Sequence, residues 1–129
     1  MRNLIIGIGR NVSPKNRDPE RDAVSGAVIP APHWINFQRQ VEFTTEKRGG
    51  KVISIIIGQS HSPEWGVEEG AWFAVEFDGD DFDLYCLKTD LARLAQTYGQ
   101  DAIAVTTGTT EFVERPEQVR ADYVASQQG

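Results

Sequence analysis

Between Asp83 and Gly99, the residues Leu84, Leu87, Leu91, Leu94 and Tyr98 recur every three or four positions, and this stripe constrains the fold more than any other feature. A period of about 3.6 places all of them on one side of an α-helix. Asp83 reads as the N-cap, Gly99 as the left-handed stop, and Phe82 with Leu87 as a hydrophobic staple. Such a helix gains its stability by burying that face against a second layer.

The rest of the chain supplies the layer. Trp34, Phe37, Val41 and Thr45 mark a second helix over 34–47, preceded by Pro32 and ended by Gly49-Gly50. Apolar runs of strand length lie at Asn3–Ile8, Lys51–Gly58, Ala71–Phe77 and Ala102–Thr107, the last able to continue past Gly108 to Val113. The order β-α-β-β-α-β predicts an α+β, ferredoxin-like sandwich: a four-stranded antiparallel sheet with two helices on one face. Residues 1–113 form a single domain in this reading, and 114–129 a tail with a short helix after Pro116 or a frayed end. Asn11 to Pro32 lacks periodicity, carries Pro14, Pro19, Pro30 and Pro32, and reads as a long loop of functional or disordered character. Gln59 to Gly70 reads as a second loop.

One sheet face then has no helix. Strand two puts Val52, Ile53, Ile55, Ile56 and Ile57 on both faces, and strand three turns Trp72, Ala74 and Glu76 one way and Phe73, Val75 and Phe77 the other. Either the tail covers the free face or a partner uses it.

The chain has 129 residues with 19 acids against 13 bases, a formal charge of −6. That balance opposes long-range attraction to nucleic acid and anionic membranes. No apolar run reaches bilayer length and no signal peptide is evident, and the lone Cys86 fits a reducing compartment, so the expectation is a cytoplasmic protein. Cys86 falls on the polar side of the helix between Asp83 and Gly99, with Asp90 one turn on and no cationic neighbour on that side closer than two turns, and reads as a surface thiol.

Familiar motifs fall short. Gly7-Ile8-Gly9 has Val12 where a dinucleotide fingerprint needs its third glycine, and a loop rather than a helix follows. Asp78-Gly79-Asp80-Asp81-Phe82-Asp83 lacks the glycine and glutamate positions of a calcium loop and reads as a helix cap. The third strand offers Trp72 at one stacking position of an RNA-recognition motif but Ala74 at the other, with no leading basic residue. No cofactor or metal follows from any of them.

The chemistry-bearing residues instead collect by topology. A βαββαβ order gathers the first loop, the connection from Gln59 to Gly70 and the turn after Tyr98 at one end of the sheet. That end would hold Arg10, Asn11, His33, Trp34, Ser60, His61, Trp65, Glu68, Glu69, Gln100 and Asp101. Histidine with nearby carboxylates suits acid–base chemistry, which makes His61, Glu68, Glu69 and Asp101 the set for a small-ligand binder or small enzyme. Phe43, opposite the stripe of the 34–47 helix, is a candidate exposed aromatic.

The segments Ile5-Ile6-Gly7-Ile8-Gly9-Arg10-Asn11-Val12, Trp34 with Phe37, Val67-Glu68-Glu69-Gly70-Ala71, and Leu91 to Val105 through Tyr98-Gly99-Gln100-Asp101 resemble small uncharacterised proteins of actinobacterial phages. That resemblance implies a short acidic protein that acts by binding a host or phage protein, and carries over no catalytic residues. The leading expectation is thus a non-enzymatic protein-binding module, whose partner is another protein or a second copy of the chain, contacted through Arg10, Asn11, Phe43, His61, Trp65, Glu68, Glu69 and Asp101. The ligand-binding reading stands beside it.

Overall fold

The computed structural model describes residues 1–13, 28–62, 66–108 and 110–128. Among them the elements run β1 (Arg2–Gly9), α1 (Ala31–Lys47), β2 (Gly50–Ser62), β3 (Gly66–Phe77), α2 (Asp81–Thr97), β4 (Ile103–Thr106), β5 (Thr110–Val113) and α3 (Pro116–Gln128). The fold is α+β, with a five-stranded sheet in the order β2-β3-β1-β4-β5. Every neighbouring pair of strands is antiparallel.

The sheet therefore has one strand more than the sequence predicts. At Gly108 the backbone takes φ +145°, a conformation open to glycine, and the chain reverses instead of extending β4. Ile103 then pairs with Val113 and Thr106 with Thr110 across a hairpin.

Alternation decides which face is covered. Leu4, Ile6 and Ile8 of β1, Phe73, Val75 and Phe77 of β3, and Ile103 and Val105 of β4 are buried beneath Trp34, Phe37 and Val41 of α1 and Leu84, Leu87 and Leu91 of α2. Each such side chain contributes about 1.5–3 kcal/mol on burial. The predicted stripe of α1 is buried throughout, while that of α2 is buried at Leu84, Leu87 and Leu91 and only partly so at Leu94 and Tyr98, where Ala92 and Ala95 are the buried residues instead. The C-terminal helix lies against α2, with Val119 buried and Tyr123 stacked on Tyr85 at 4.6 Å between ring centroids. The described tail therefore sits on the helical side, away from the open face.

Element ends depart from the prediction for local reasons. Helix α2 is capped by Asp80, whose carboxylate accepts from the Asp83 backbone N–H at 2.9 Å, while the Asp83 carboxylate accepts from the Asp80 N–H at 3.0 Å. This reciprocal box shifts the helix start forward. Phe82 then lies inside the first turn, 55% exposed, and does not staple to Leu87. Helix α1 starts at Ala31, because Pro32 in the first turn has no N–H to leave unpaired. The supposed loop from Gln59 to Gly70 is largely hairpin: Gln59 pairs with Glu69, Ser60 with Glu68 and His61 with Val67.

Candidate functional site

The end of the sheet where β1 stops is where the polar side chains converge. Gly9, the last residue of β1, faces Gly70, and from there the β2–β3 hairpin runs on beyond β1. The chain leaving β1 is pinned to this projection. The Arg10 backbone N–H donates to the Glu69 carbonyl at 2.9 Å. The Arg10 guanidinium reaches the Glu69 carboxylate at 2.7 Å and the Ile29 carbonyl at 2.8 Å. The Asn11 N–H donates to the Glu68 carboxylate at 3.0 Å.

The α2–β4 turn closes the other side. Gln100, buried, donates through Nε2 to the Asn11 carbonyl at 3.0 Å. Ser13 donates its hydroxyl to Asp101 at 2.5 Å and its N–H to the Gly99 carbonyl at 2.8 Å. Arg10, Asn11, Glu68, Glu69 and Asp101 are thus brought together by one hydrogen-bonded strap. Ser13 is a member that sequence reading missed; it stands in an aperiodic stretch where no spacing singles it out.

The histidines do not join them. His61 is exposed and paired with Val67, so strand alternation puts it on the hairpin face of Glu69 and opposite that of Glu68. His33 is exposed on the first turn of α1. Phe43 is 62% exposed but lies some 12 residues, about 18 Å, along α1 from its start. Trp65 lies outside the described residues. An acid–base set built on His61 and Glu68 is therefore not assembled in this fold.

Glu68 has surroundings of its own. On the open face Gly58, Gly70 and Gly9 stand side by side on β2, β3 and β1. A Cβ at Gly9 would overlap the Glu68 carboxylate, which shows that this side chain lies over the glycine. A Cβ at Gly70 would come within 2.9 Å of the Trp72 ring, and one at Gly7 within 3.2 Å. The missing side chains let the indole lie flat along the sheet, its outer edge beside Gly70 and hence near the carboxylate over Gly9. Burial pushes the Glu68 carboxyl above its ordinary 4.5; the Asn11 N–H opposes the shift, and the negative charge of Asp101 adds to it. A half-buried carboxylate on the same sheet face as an indole that lies flat on the backbone is suited to a cationic or protonatable group.

A cavity of about 380 Å³ lies between α2, β5 and α3, walled by Tyr85, Lys88, Glu111, Asp122 and Tyr123, and shares no residue with the Glu68 end. Among the described residues, no group of three or more histidine, cysteine, aspartate or glutamate side chains is placed to hold a metal ion. None of the described helices is long and apolar enough to cross a membrane.

No protein-family model matches the chain, and no curated protein matches it. Among solved structures it is similar to a phage SAM lyase in complex with S-methyl-5'-thioadenosine, at 10% identity and a TM-score of 0.50, over 87% of this chain and 88% of that one. At such identity the likeness is one of fold. The neighbour is a phage protein, whereas the resemblance to actinobacterial phage proteins in particular has no counterpart among the family or sequence comparisons.

Proposed function

We propose that this chain binds a small adenosyl thioether or sulfonium compound at the loop-rich end of its open sheet face. Glu68 is the recognising carboxylate and Trp72 the aromatic wall. The observation that carries the reading is the half-buried Glu68 carboxylate lying over Gly9 beside the indole. A sulfonium carries a positive charge next to apolar methylene groups, and a carboxylate beside a π-face complements both. The framework is a ferredoxin-like βαββαβ unit with an added hairpin strand and helix, and the ligand class is suggested by the thioether nucleoside in the fold neighbour. The raised affinity of Glu68 for a proton also equips it as a general base or acid, so turnover is to be assayed with binding.

The test is calorimetric titration of S-methyl-5'-thioadenosine and S-adenosylmethionine into the full chain, with thermal shift in parallel. Ligand at a hundred times its dissociation constant adds about 2.7 kcal/mol. Binding lost in Glu68→Gln and retained in His61→Ala is the expected result. Binding of neither compound, or equal binding by Glu68→Gln, removes the reading.

A second reading, a non-enzymatic module that engages a protein in the cytoplasm, of a bacterial host where the chain is phage-borne, is favoured by one observation. The row Ile56–Trp72–Gly7–Ala104–Phe112 crosses all five strands on the open face, and Ile56 and Phe112 at its two ends are 62% and 66% exposed. It predicts that Phe112→Asp abolishes partner capture and leaves nucleoside binding unchanged. Capture that survives Phe112→Asp counts against it.

A further inference from the structure

The two edges of the sheet are protected very differently. Edge strand β5 has four residues, and its Glu111 is held by Lys88 of α2 at 2.6 Å. Edge strand β2 has thirteen, Gly50–Ser62, with no proline and with Lys51 as its single permanently charged side chain. The usual devices against edge-to-edge pairing are short strands, lysines, prolines and bulges. Here a bulge between Val52 and Ser54 guards only the first third. Beyond it, Ile55 and Ile57 on one face are 40% and 51% exposed, and Ile56 on the other is 62% exposed.

We propose that β2 is a self-association edge, at which two copies of this chain pair antiparallel about a two-fold axis at Ile56. In that register Ile56 faces its own counterpart, and Ile55 faces Ile57 of the other copy. Serine and glycine meet next, Ser54 opposite Gly58. Cross-strand pairs of β-branched side chains are the stabilising unit of a sheet, and this register supplies them on both faces. A two-fold interface must be self-complementary, and a strand whose centre is three consecutive isoleucines meets that condition without a second sequence.

Charge points to the same occupant. The chain carries 19 acidic residues, yet none falls within Gly50–Ser62. Two copies, each with a formal charge of −6, can approach along this strand without placing carboxylates opposite one another. The two five-stranded sheets would become one of ten strands.

Sedimentation velocity on the full chain over a wide concentration range tests this, with Ile56→Lys and Ile57→Lys alongside and circular dichroism as the check on folding. The expected result is a species of about twice 14.4 kDa for the parent and about 14.4 kDa for both variants. Hydrogen exchange should show the β2 amides that do not bond to β3 protected in the parent and exchanging freely in Ile56→Lys. A parent that is monomeric throughout overturns the proposal, whether or not those amides are protected, since protection in a monomer means that the chain covers its own edge. A dimer that survives both lysine variants overturns it equally.

Discussion

On β3, Ala71, Phe73, Val75 and Phe77 point into the helices and are buried, while Trp72, Ala74 and Glu76 alternate with them and keep partial exposure. The same division runs through β1, where Leu4, Ile6 and Ile8 are buried and Ile5 is 48% exposed. The two faces come from the same strands yet follow different rules. On the covered face the buried positions carry mostly branched or aromatic side chains that meet one another, as a close-packed interior requires. On the open face the middle is left small, with Gly7, Gly9, Gly58, Gly70 and Ala104, so that one indole and one carboxylate can lie flat on the backbone. The first face is set by volume. The second leaves its small residues under the Trp72 ring and the Glu68 carboxylate.

Removing volume from the covered face should have the largest effect on stability. Phe73 is completely buried, so Phe73→Ala should cost about 3–5 kcal/mol, a cavity term added to lost transfer energy. Urea denaturation measures it through a lower midpoint at similar slope. A cost below about 1 kcal/mol would show that the covered face relaxes freely and is not the packed layer described.

The titration of Glu68 on the open face should have a smaller effect. Because burial raises the folded-state pKa of Glu68, the folded protein holds this proton more tightly than the unfolded chain does. The group's favourable contribution is complete below its ordinary 4.5, and is lost as pH rises through the higher folded value. Glu68→Gln, which cannot titrate, should therefore flatten the decline of stability with pH just above 4.5 and leave the variant relatively more stable at neutral pH. Denaturant midpoints of the two proteins across that window decide it, and parallel pH profiles would mean that Glu68 is as solvated in the fold as out of it.

How far the sequence reveals each region follows from these rules. Periodicity reports burial, so the covered face was legible: the stripes through Leu84, Leu87 and Leu91 and through Trp34, Phe37 and Val41 are the buried ones. Gathering Arg10, Asn11, Glu68, Glu69 and Asp101 at one end needed only the element order. What periodicity cannot see is polar pairing. The Asp80–Asp83 box that moves the start of α2, the Ser13–Asp101 bond, and the hairpin register that sends His61 and Glu68 to opposite faces all depend on which donor meets which acceptor in three dimensions. The residues of the fifth strand read as a continuation of the fourth, and their separate identity comes from the reversal at Gly108, which no periodicity marks.

The smallest effect is the most direct test of openness, because it repeats the first truncation on the other face. Phe112 pairs with Ala104 on the open side and is 66% exposed, so Phe112→Ala removes a ring that gains little from folding. The change in stability should stay within about 0.5 kcal/mol, as for surface positions generally. Self-association through β2 would not alter this, since β2 and β5 are opposite edges of the sheet. The same Phe→Ala change thus separates the faces by several kcal/mol under one denaturation protocol. A loss above about 1 kcal/mol at Phe112 would mean that its ring is covered in solution, and that the open face is already occupied by something held there.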